Sequence, residues 1–294
     1  MVHKRETVLF IVNPVAGSDS KRLIPERIEK SIDSNRFTPA IVYSKNPGDA
    51  TKIAKEHYDK GIRKIIAVGG DGTVNEVAKV LINTNSTLGI IPLGSGNGLA
   101  RHLKIPFKLK HAVNLINRDR IAMLDFGLIN QTPFFCTAGV GFDAMVGYKF
   151  AHLEERGFAS YVKTTIKEFF RYQPQTYTLR NNGQTTTKEA FLITVANASQ
   201  FGNNAYIAPN ADVADGMLDV TIISPFPKYL SPSFGIKLFN RKLGRSRYVE
   251  MFRIKQLGIE RQESGYVHFD GEPISMEKNL TFQVKPMGLN VLIP

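Results

Sequence analysis

A chain of 294 residues with 43% apolar and 22% charged residues has the composition of an ordinary globular protein and the length for two cores, which excludes a disordered chain. Its formal charge of +12 points to an anionic partner, whether a membrane surface, a polyphosphate or nucleic acid, without choosing among them. The single cysteine, Cys136, excludes an internal disulfide framework and a thiolate-rich metal site and fits a reducing cytoplasm; the first apolar run, Val8 to Val12, is too short for a signal segment, and no later run approaches the length of a membrane span.

In chain order, Thr7 to Val12 reads as a first strand, closed by the loop Asn13-Pro14-Val15-Ala16-Gly17-Ser18. Leu23, Ile24, Ile28 and Ile32 then mark an amphipathic helix, Phe37 to Tyr43 a second strand, and Gly48 to Lys60 a helix with Ile53 and Ala54 inward. Lys64 to Val68 has the two-sided apolar composition of a buried parallel strand. It runs into Gly69-Gly70-Asp71-Gly72-Thr73, after which Val74, Val77, Ala78 and Leu81 follow at one-face helical spacing. Leu88 to Pro92 repeats the pattern, with a second Gly-rich turn from Leu93 to Gly98 before Leu99. This alternation predicts an open, doubly wound, mostly parallel sheet, whose ligands bind beyond the carboxyl ends of the strands. The three Gly-containing turns are therefore expected at one edge. Glycines let the backbone approach a ligand, and the N–H groups of a new helix favour an anion, so a phosphate is the natural guest. A carboxylate among such donors, Asp71, has two explanations: a divalent cation bridges it to the phosphate, or it caps a helix.

After a helical stretch from Lys108 to Asn117 the pattern changes to short apolar runs separated by turn signals, at Met123 to Ile129, Pro133 to Ala138, Gln175 to Arg180, Glu189 to Asn197, Met217 to Ser224, Tyr266 to Asp270, Leu280 to Val284 and Gly288 to Ile293. Asn181-Asn182-Gly183 is a hairpin signal. The expectation is a mainly antiparallel β-sandwich with helical insertions near Asp143 to Arg156 and Ser160 to Arg171, and a boundary near Arg120, giving domains 1–120 and 121–294. Pro225 to Arg247 carries no readable element.

Gly139-Val140-Gly141-Phe142-Asp143-Ala144 fits the dinucleotide fingerprint but lacks its βαβ context, so it reads as a tight turn at the domain interface. No P-loop sequence and no His pair at i, i+4 is present. Asp215-Gly216-Met217-Leu218-Asp219 and His268-Phe269-Asp270-Gly271-Glu272-Pro273 are acidic turns, read either as plain hairpin loops or as carboxylates for a metal and for a hydroxyl proton. If the chain stays extended through Gly271, Asp270 and Glu272 share a face. The phenylalanines from Phe134 to Phe170 fit an acyl-chain cleft, although such residues are more often core.

Taken in order, Asn13 to Ser18, Gly69 to Glu76, Pro92 to Asn97, Asp215 to Asp219 and Asp270 to Pro273 resemble the motifs of the diacylglycerol kinase catalytic family, and the chain looks like its bacterial soluble lipid kinases. The Gly-Gly-Asp-Gly-Thr element alone is shared with NAD kinases and is similar in phosphofructokinases, which implies an NAD kinase/phosphofructokinase-like first domain. The resemblance implies an ATP site at Asn13, Ser44, Gly69, Gly70, Asp71, Gly72, Thr73, Asn75, Glu76 and Ser95. It implies a structural Mg²⁺ held by Asp215 and the main-chain carbonyls of Asp212 and Met217, with Glu272 as proton acceptor, Asp270 beside it and Asp71 as the competing base. Gly-Ser-Gly-Asn from Gly94 to Asn97 is closer to sphingosine-kinase-like relatives than to many bacterial members.

The function implied is phosphoryl transfer from ATP, with Mg²⁺, to a hydroxyl of a diacylglycerol-like or sphingoid lipid, which suits Gly loops and carboxylates better than a covalent nucleophile. A kinase of a soluble substrate such as NAD is the enzymatic alternative, and a nucleotide- or lipid-binding regulator the non-enzymatic one. The expected partners are the lipid and an anionic membrane surface, met peripherally from the cytoplasm through Lys237, Arg241, Lys242, Arg245, Arg247, Arg253 and Lys255; nucleic acid is not expected, and a homodimer is admissible.

Overall fold

The buried run Val8 to Val12 lies in β1 (Glu6–Val12) of a computed structural model that describes residues 5–17, 23–94, 96–151 and 158–294. After it come α1 (Ile24–Glu29), β2 (Phe37–Tyr43), α2 (Asp49–Asp59), β3 (Lys64–Gly69), α3 (Asp71–Leu81), β4 (Thr87–Pro92), α4 (Gly98–His102) and α5 (Leu109–Arg118). These belong to the first of two units, Met1–Leu124 with Met287–Pro294; the second is Asp125–Pro286. β1 pairs in parallel with β2 and β3, and β3 with β4, so the order is β2-β1-β3-β4. Every residue of β3 and β4 is buried, as strands covered on both faces require. On one face Val8, Phe10, Ile66 and Val68 share a core with Ile24 and Ile28 of α1 and Val113 and Ile116 of α5. Alternation sends Leu9 and Ile65 to the other face, where α2 lies against β1 and α3 against β3.

The second unit begins within β5 (Ile121–Ile129) and continues with β6 (Thr132–Phe134), β7 (Thr137–Gly141), α6 (Phe142–Ala151), α7 (Phe158–Arg171), β8 (Gln175–Asn181), β9 (Gln184–Ala190), β10 (Leu192–Ala196), β11 (Leu218–Ile223), α8 (Ser231–Phe239), β12 (Val249–Ile254), β13 (Gln256–Arg261), β14 (Gly265–Phe269), β15 (Glu272–Met276) and β16 (Asn279–Leu292). One antiparallel sheet runs β12-β11-β10-β7-β14-β15 and a second runs β16-β13-β8-β9. Val140, Ile193, Val220 and Val267 of the first share a core with Leu179, Ile259, Leu280 and Phe282 of the second, which is the expected β-sandwich. Asn181 pairs with Gln184 across Asn182 and Gly183, both at positive φ, as a type I′ hairpin requires.

Several elements differ from expectation. β9 (Gln-Thr-Thr-Thr-Lys-Glu-Ala) is polar and mostly exposed, so it carries no apolar signal. β7 passes straight into α6, so the Gly-Val-Gly-Phe-Asp-Ala stretch is a strand end and helix start rather than a loop. A Cβ on Gly139 would stand 2.5 Å from the Ile193 carbonyl oxygen, so that glycine serves strand packing. Leu280 to Val284 and Gly288 to Ile293 are one strand, β16. Its last part joins the first unit instead of the second, because Asn290 and Val291 pair in parallel with Thr87 and Leu88 and Leu292 enters the first unit's core.

Candidate active site

Parallel pairing sets the ends of β1, β3 and β4 side by side, with Val12 opposite Val68 and Gly69 opposite Pro92. The turns that follow them are tied together as expected. Asn13 N donates to Val68 O at 2.9 Å, and Leu93 N donates to Gly69 O at 2.7 Å. The Asn13 side chain closes its own turn by accepting from Val15 N at 3.0 Å and reaches the third strand's turn by donating from Nδ2 to Thr73 Oγ1 at 3.2 Å. Ser18 and Ser95 lie outside the described residues.

Asp71 opens α3, yet its carboxylate serves a different helix. Oδ2 accepts from Asn97 N at 2.6 Å and Oδ1 from Gly98 N at 2.7 Å, the amides at the start of α4. Capping is therefore part of its role, and charge-assisted bonds of this length bind the Gly70–Thr73 turn to the Gly94–Gly98 turn. A side chain at position 96 would defeat this, since its Cβ would come within 2.6 Å of Asp71 Oδ2. Gly72 and Thr73 sit in the first turn of α3, and Asn75 is buried behind them. Glu76 caps as well: its carboxylate accepts from Gly48 N at 2.8 Å and Ala50 N at 2.9 Å, the first amides of α2. Ser44 is buried just past β2, its N–H donating to Val12 O at 3.0 Å. The structure thus brings Asn13, Ser44, Gly69, Gly70, Asp71, Gly72, Thr73, Asn75 and Glu76 to one end of the first unit's sheet.

In the second unit Asp270 and Gly271 both have positive φ and join the paired residues Phe269 and Glu272, a two-residue hairpin turn. The chain therefore reverses between Asp270 and Glu272, and the shared-face expectation fails because Asp-Gly prefers this turn to an extended course. The Asp270 carboxylate accepts three buried amides, Phe135 N at 2.8 Å, Cys136 N at 2.7 Å and Thr137 N at 3.1 Å, which gives it an anchoring role. Glu272 opens β15, half-buried.

One step back along β14, His268 Nε2 meets Asp143 Oδ2 at 2.9 Å, and Thr194 Oγ1 donates to the same oxygen at 2.9 Å. This buried cluster was not anticipated. Asp143 follows a Gly-x-Gly whose fingerprint reading drew attention to the glycines instead.

The Asp215 turn is acidic throughout. Asp212 Oδ1 accepts from Ala214 N and Asp215 Oδ1 from Met217 N, both at 3.0 Å, while the other Asp215 oxygen pairs with Arg253. Asp125, only 2% exposed, accepts from Gly216 N at 2.6 Å through Oδ2. Burial, and then the charge of Asp212, push the Asp219 carboxyl up to about 6. Carboxylate and turn-carbonyl oxygens are the hard donors Mg²⁺ takes, and the crowding of like charge favours a cation, so these residues fit the implied metal. Among the described residues no three His, Cys, Asp or Glu side chains converge on one point, so a cation here would draw on the carbonyls of Asp212 and Met217 beside Asp215. The only sequence signal for Asp125 was one carboxylate inside an apolar strand.

Phe142 and Phe169 pack with Phe191 in the second unit, and Phe134 is fully buried, so the core reading holds for these; Phe170 is exposed. No helix among the described residues is long and apolar enough to cross a membrane.

Residues 7–129 match the model of the diacylglycerol kinase catalytic domain, and residues 136–293 match that of the YegS C-terminal NAD kinase beta sandwich-like domain. A Synechocystis protein described as uncharacterized is 35% identical over 76% of this chain, which spans 55% of that protein's length. A Pseudomonas aeruginosa protein named "Probable lipid kinase YegS-like" is 31% identical over 84% of this chain and 82% of its own. A crystal structure of a diacylglycerol kinase from Bacillus anthracis superposes with a TM-score of 0.74 at 25% identity, covering 99% of this chain and 98% of that one. An NAD kinase from Archaeoglobus fulgidus, at TM-score 0.53 and 12% identity over 97% of this chain and 92% of that one, shares the fold. With both of its parts matched in order, the chain belongs to the diacylglycerol kinase catalytic family, in its YegS-like branch.

Proposed function

We propose that the protein is an ATP-dependent lipid kinase that transfers the γ-phosphate to a hydroxyl of a diacylglycerol-like or sphingoid lipid at the cytoplasmic membrane surface. The observation that carries this reading is the gathering of three Gly-bearing turns at the ends of β1, β3 and β4, with Asp71 tying two of them together. Phosphoryl transfer is mostly positioning and charge stabilisation, and turns tied firmly to one another supply the positioning. Asn13, Ser44 and the turn Gly69 to Thr73 would hold the nucleotide phosphates, with Asn75 and Glu76 supporting them from behind and Ser95 assigned there by the family resemblance alone. Glu76 acts by fixing the Ser44–Gly48 loop through the α2 cap.

Glu272 takes the proton of the lipid hydroxyl. Asp71 is the weaker candidate because its oxygens already accept two short amide bonds and are committed to holding the loops. Asp270 positions Glu272 by anchoring the hairpin turn. Asp215 and the carbonyls of Asp212 and Met217 would hold Mg²⁺, whose positive charge would offset the carboxylates of that turn.

Purified protein incubated with labelled ATP, Mg²⁺, a total lipid extract and added NAD should move label into lipid. Label entering NAD alone, or no acceptor, overturns the reading in favour of a soluble-substrate kinase or a regulator.

A further inference from the structure

Helix α8 has one face built into the second unit and one facing out. Inward, Phe234 stacks on Phe226 with ring centroids 4.0 Å apart and tilts against Tyr248, so the helix is held firmly. Outward, Tyr229 in the 3₁₀ turn leading into α8, then Ile236 and Phe239, are 80%, 63% and 52% exposed. Ile236 and Phe239, three residues apart, lie on one stripe of α8, and Tyr229, just ahead of its first turn, adds to that exposed apolar surface. Lys228 Nζ donates to Phe170 O at 2.6 Å, which fastens the end of α7 beside this stripe. There Phe170 and Ile166, one helical turn apart, are 59% and 55% exposed. Five large apolar side chains held outward by a packed scaffold are not ordinary surface scatter.

Along the sequence that carries the α8 stripe the charge has one sign. No Asp or Glu occurs between Asp219 and Glu250, while Lys228, Lys237, Arg241, Lys242, Arg245 and Arg247 all fall in that interval. On α7 the nearest acid, Glu168, is buried against Lys149 at 2.6 Å, whereas Lys167 and Arg171 are exposed. Apolar tips within a cationic field complement an anionic bilayer, where side chains enter the acyl boundary and ammonium and guanidinium groups stay among the headgroups. We propose that the stripe Tyr229, Ile236 and Phe239, extended by Phe170 and Ile166, is the surface by which the second unit docks on an anionic lipid bilayer. The choice of a bilayer over another anionic surface rests on the lipid-kinase reading.

The test is sedimentation of the full chain, without nucleotide, with phosphatidylcholine vesicles prepared with and without phosphatidylglycerol. Two variants are compared with the parent: Tyr229→Ser/Ile236→Ser/Phe239→Ser and Lys237→Gln/Lys242→Gln/Arg245→Gln. Each should lower partitioning onto the anionic vesicles by about tenfold or more, and added salt should release the parent. Thermal melts matching the parent's establish that the variants fold. A parent that binds neutral and anionic vesicles equally, or a serine variant that binds as the parent does, overturns the proposal. So does a parent dimer that the serine variant splits while vesicle binding persists, because the stripe would then be covered by a second copy. Activity separates this idea from the kinase reading. Phosphorylation of a dispersed short-chain lipid should be the same in parent and variants, and should fall in the variants when the lipid is embedded in anionic vesicles. A parent that labels no lipid yet binds vesicles through the stripe refutes the kinase reading alone, and lipid labelling with stripe-independent binding refutes the docking surface alone.

Discussion

Replacing Asp270 with alanine strips the acceptor from three amides, those of Phe135, Cys136 and Thr137, all in residues no more than 5% exposed. A buried donor left unmade costs about 1–3 kcal/mol, and bonds to a charged acceptor lie toward the top of that range. The turn itself is half-buried and water reaches part of it, so the three together amount to roughly 3–5 kcal/mol rather than their full sum. Asp270 also sits at φ 48°, where an alanine adds about 1 kcal/mol of backbone strain. Asparagine tolerates that conformation and keeps one oxygen acceptor, so Asp270→Asn should lose about half as much. At about 2–4 °C per kcal/mol for a chain of this size, the alanine variant should melt roughly 15 °C below the parent and the asparagine variant about half as far below. Circular dichroism melts in chelator, without nucleotide, read this directly. An alanine variant within about 2 °C of the parent would refute the anchoring role. A deficit that appears only when Mg²⁺ is present would refute it too, by making Asp270 a metal residue.

Glu272→Gln should lower turnover by about 10²- to 10⁴-fold with MgATP affinity near that of the parent; near-parental turnover in steady-state kinetics would pass the proton to Asp71. Asp71→Asn should weaken MgATP binding and turnover together, because two amides of the Gly94–Gly98 turn lose their anionic acceptor, and unchanged affinity by titration calorimetry would contradict that. Glu76→Ala should cost about 1–2 kcal/mol in urea unfolding, since it uncaps α2, and an unshifted midpoint would show that the cap contributes nothing. Adding Mg²⁺ should raise the melting temperature of the parent and not of Asp215→Ala, with chelator reversing the rise; parallel shifts in both proteins would remove the cation from that turn.

The first unit was almost fully legible because β1, β3 and β4 carry buried apolar runs and each is followed by a Gly-bearing turn. Lys64 to Val68 and Phe37 to Tyr43 announce themselves by composition alone. Less could be read in the second unit, where β9 exposes most of its residues, β15 has none that is buried, and Phe-rich α8 sits among prolines and cations that mask its period. At the site, residue types gave the positions of Asp71, Asp270 and Glu76 but not what their oxygens hold. All three spend their carboxylates on backbone amides distant in sequence, and such pairings depend on how strands are laid side by side. Asp125 and the pair Asp143–His268 escaped for the same reason: the partners lie 91 and 125 residues apart.

The course of β16 has a consequence for how the protein is made. Residues up to Asp119 leave the ribosome long before Val291, so β4 waits with an unpaired edge for the whole synthesis of the second unit. That edge is closed where Thr87 and Leu88 pair with Asn290 and Val291. A nascent first unit therefore presents a sticky strand of fully buried residue types until Asn290 and Val291 have been made. Synthesis of Asn290 and Val291, rather than emergence of residues 1–124, becomes the event that completes the first unit's sheet, and truncation before Asn290 would harm that early part of the chain as much as the later one.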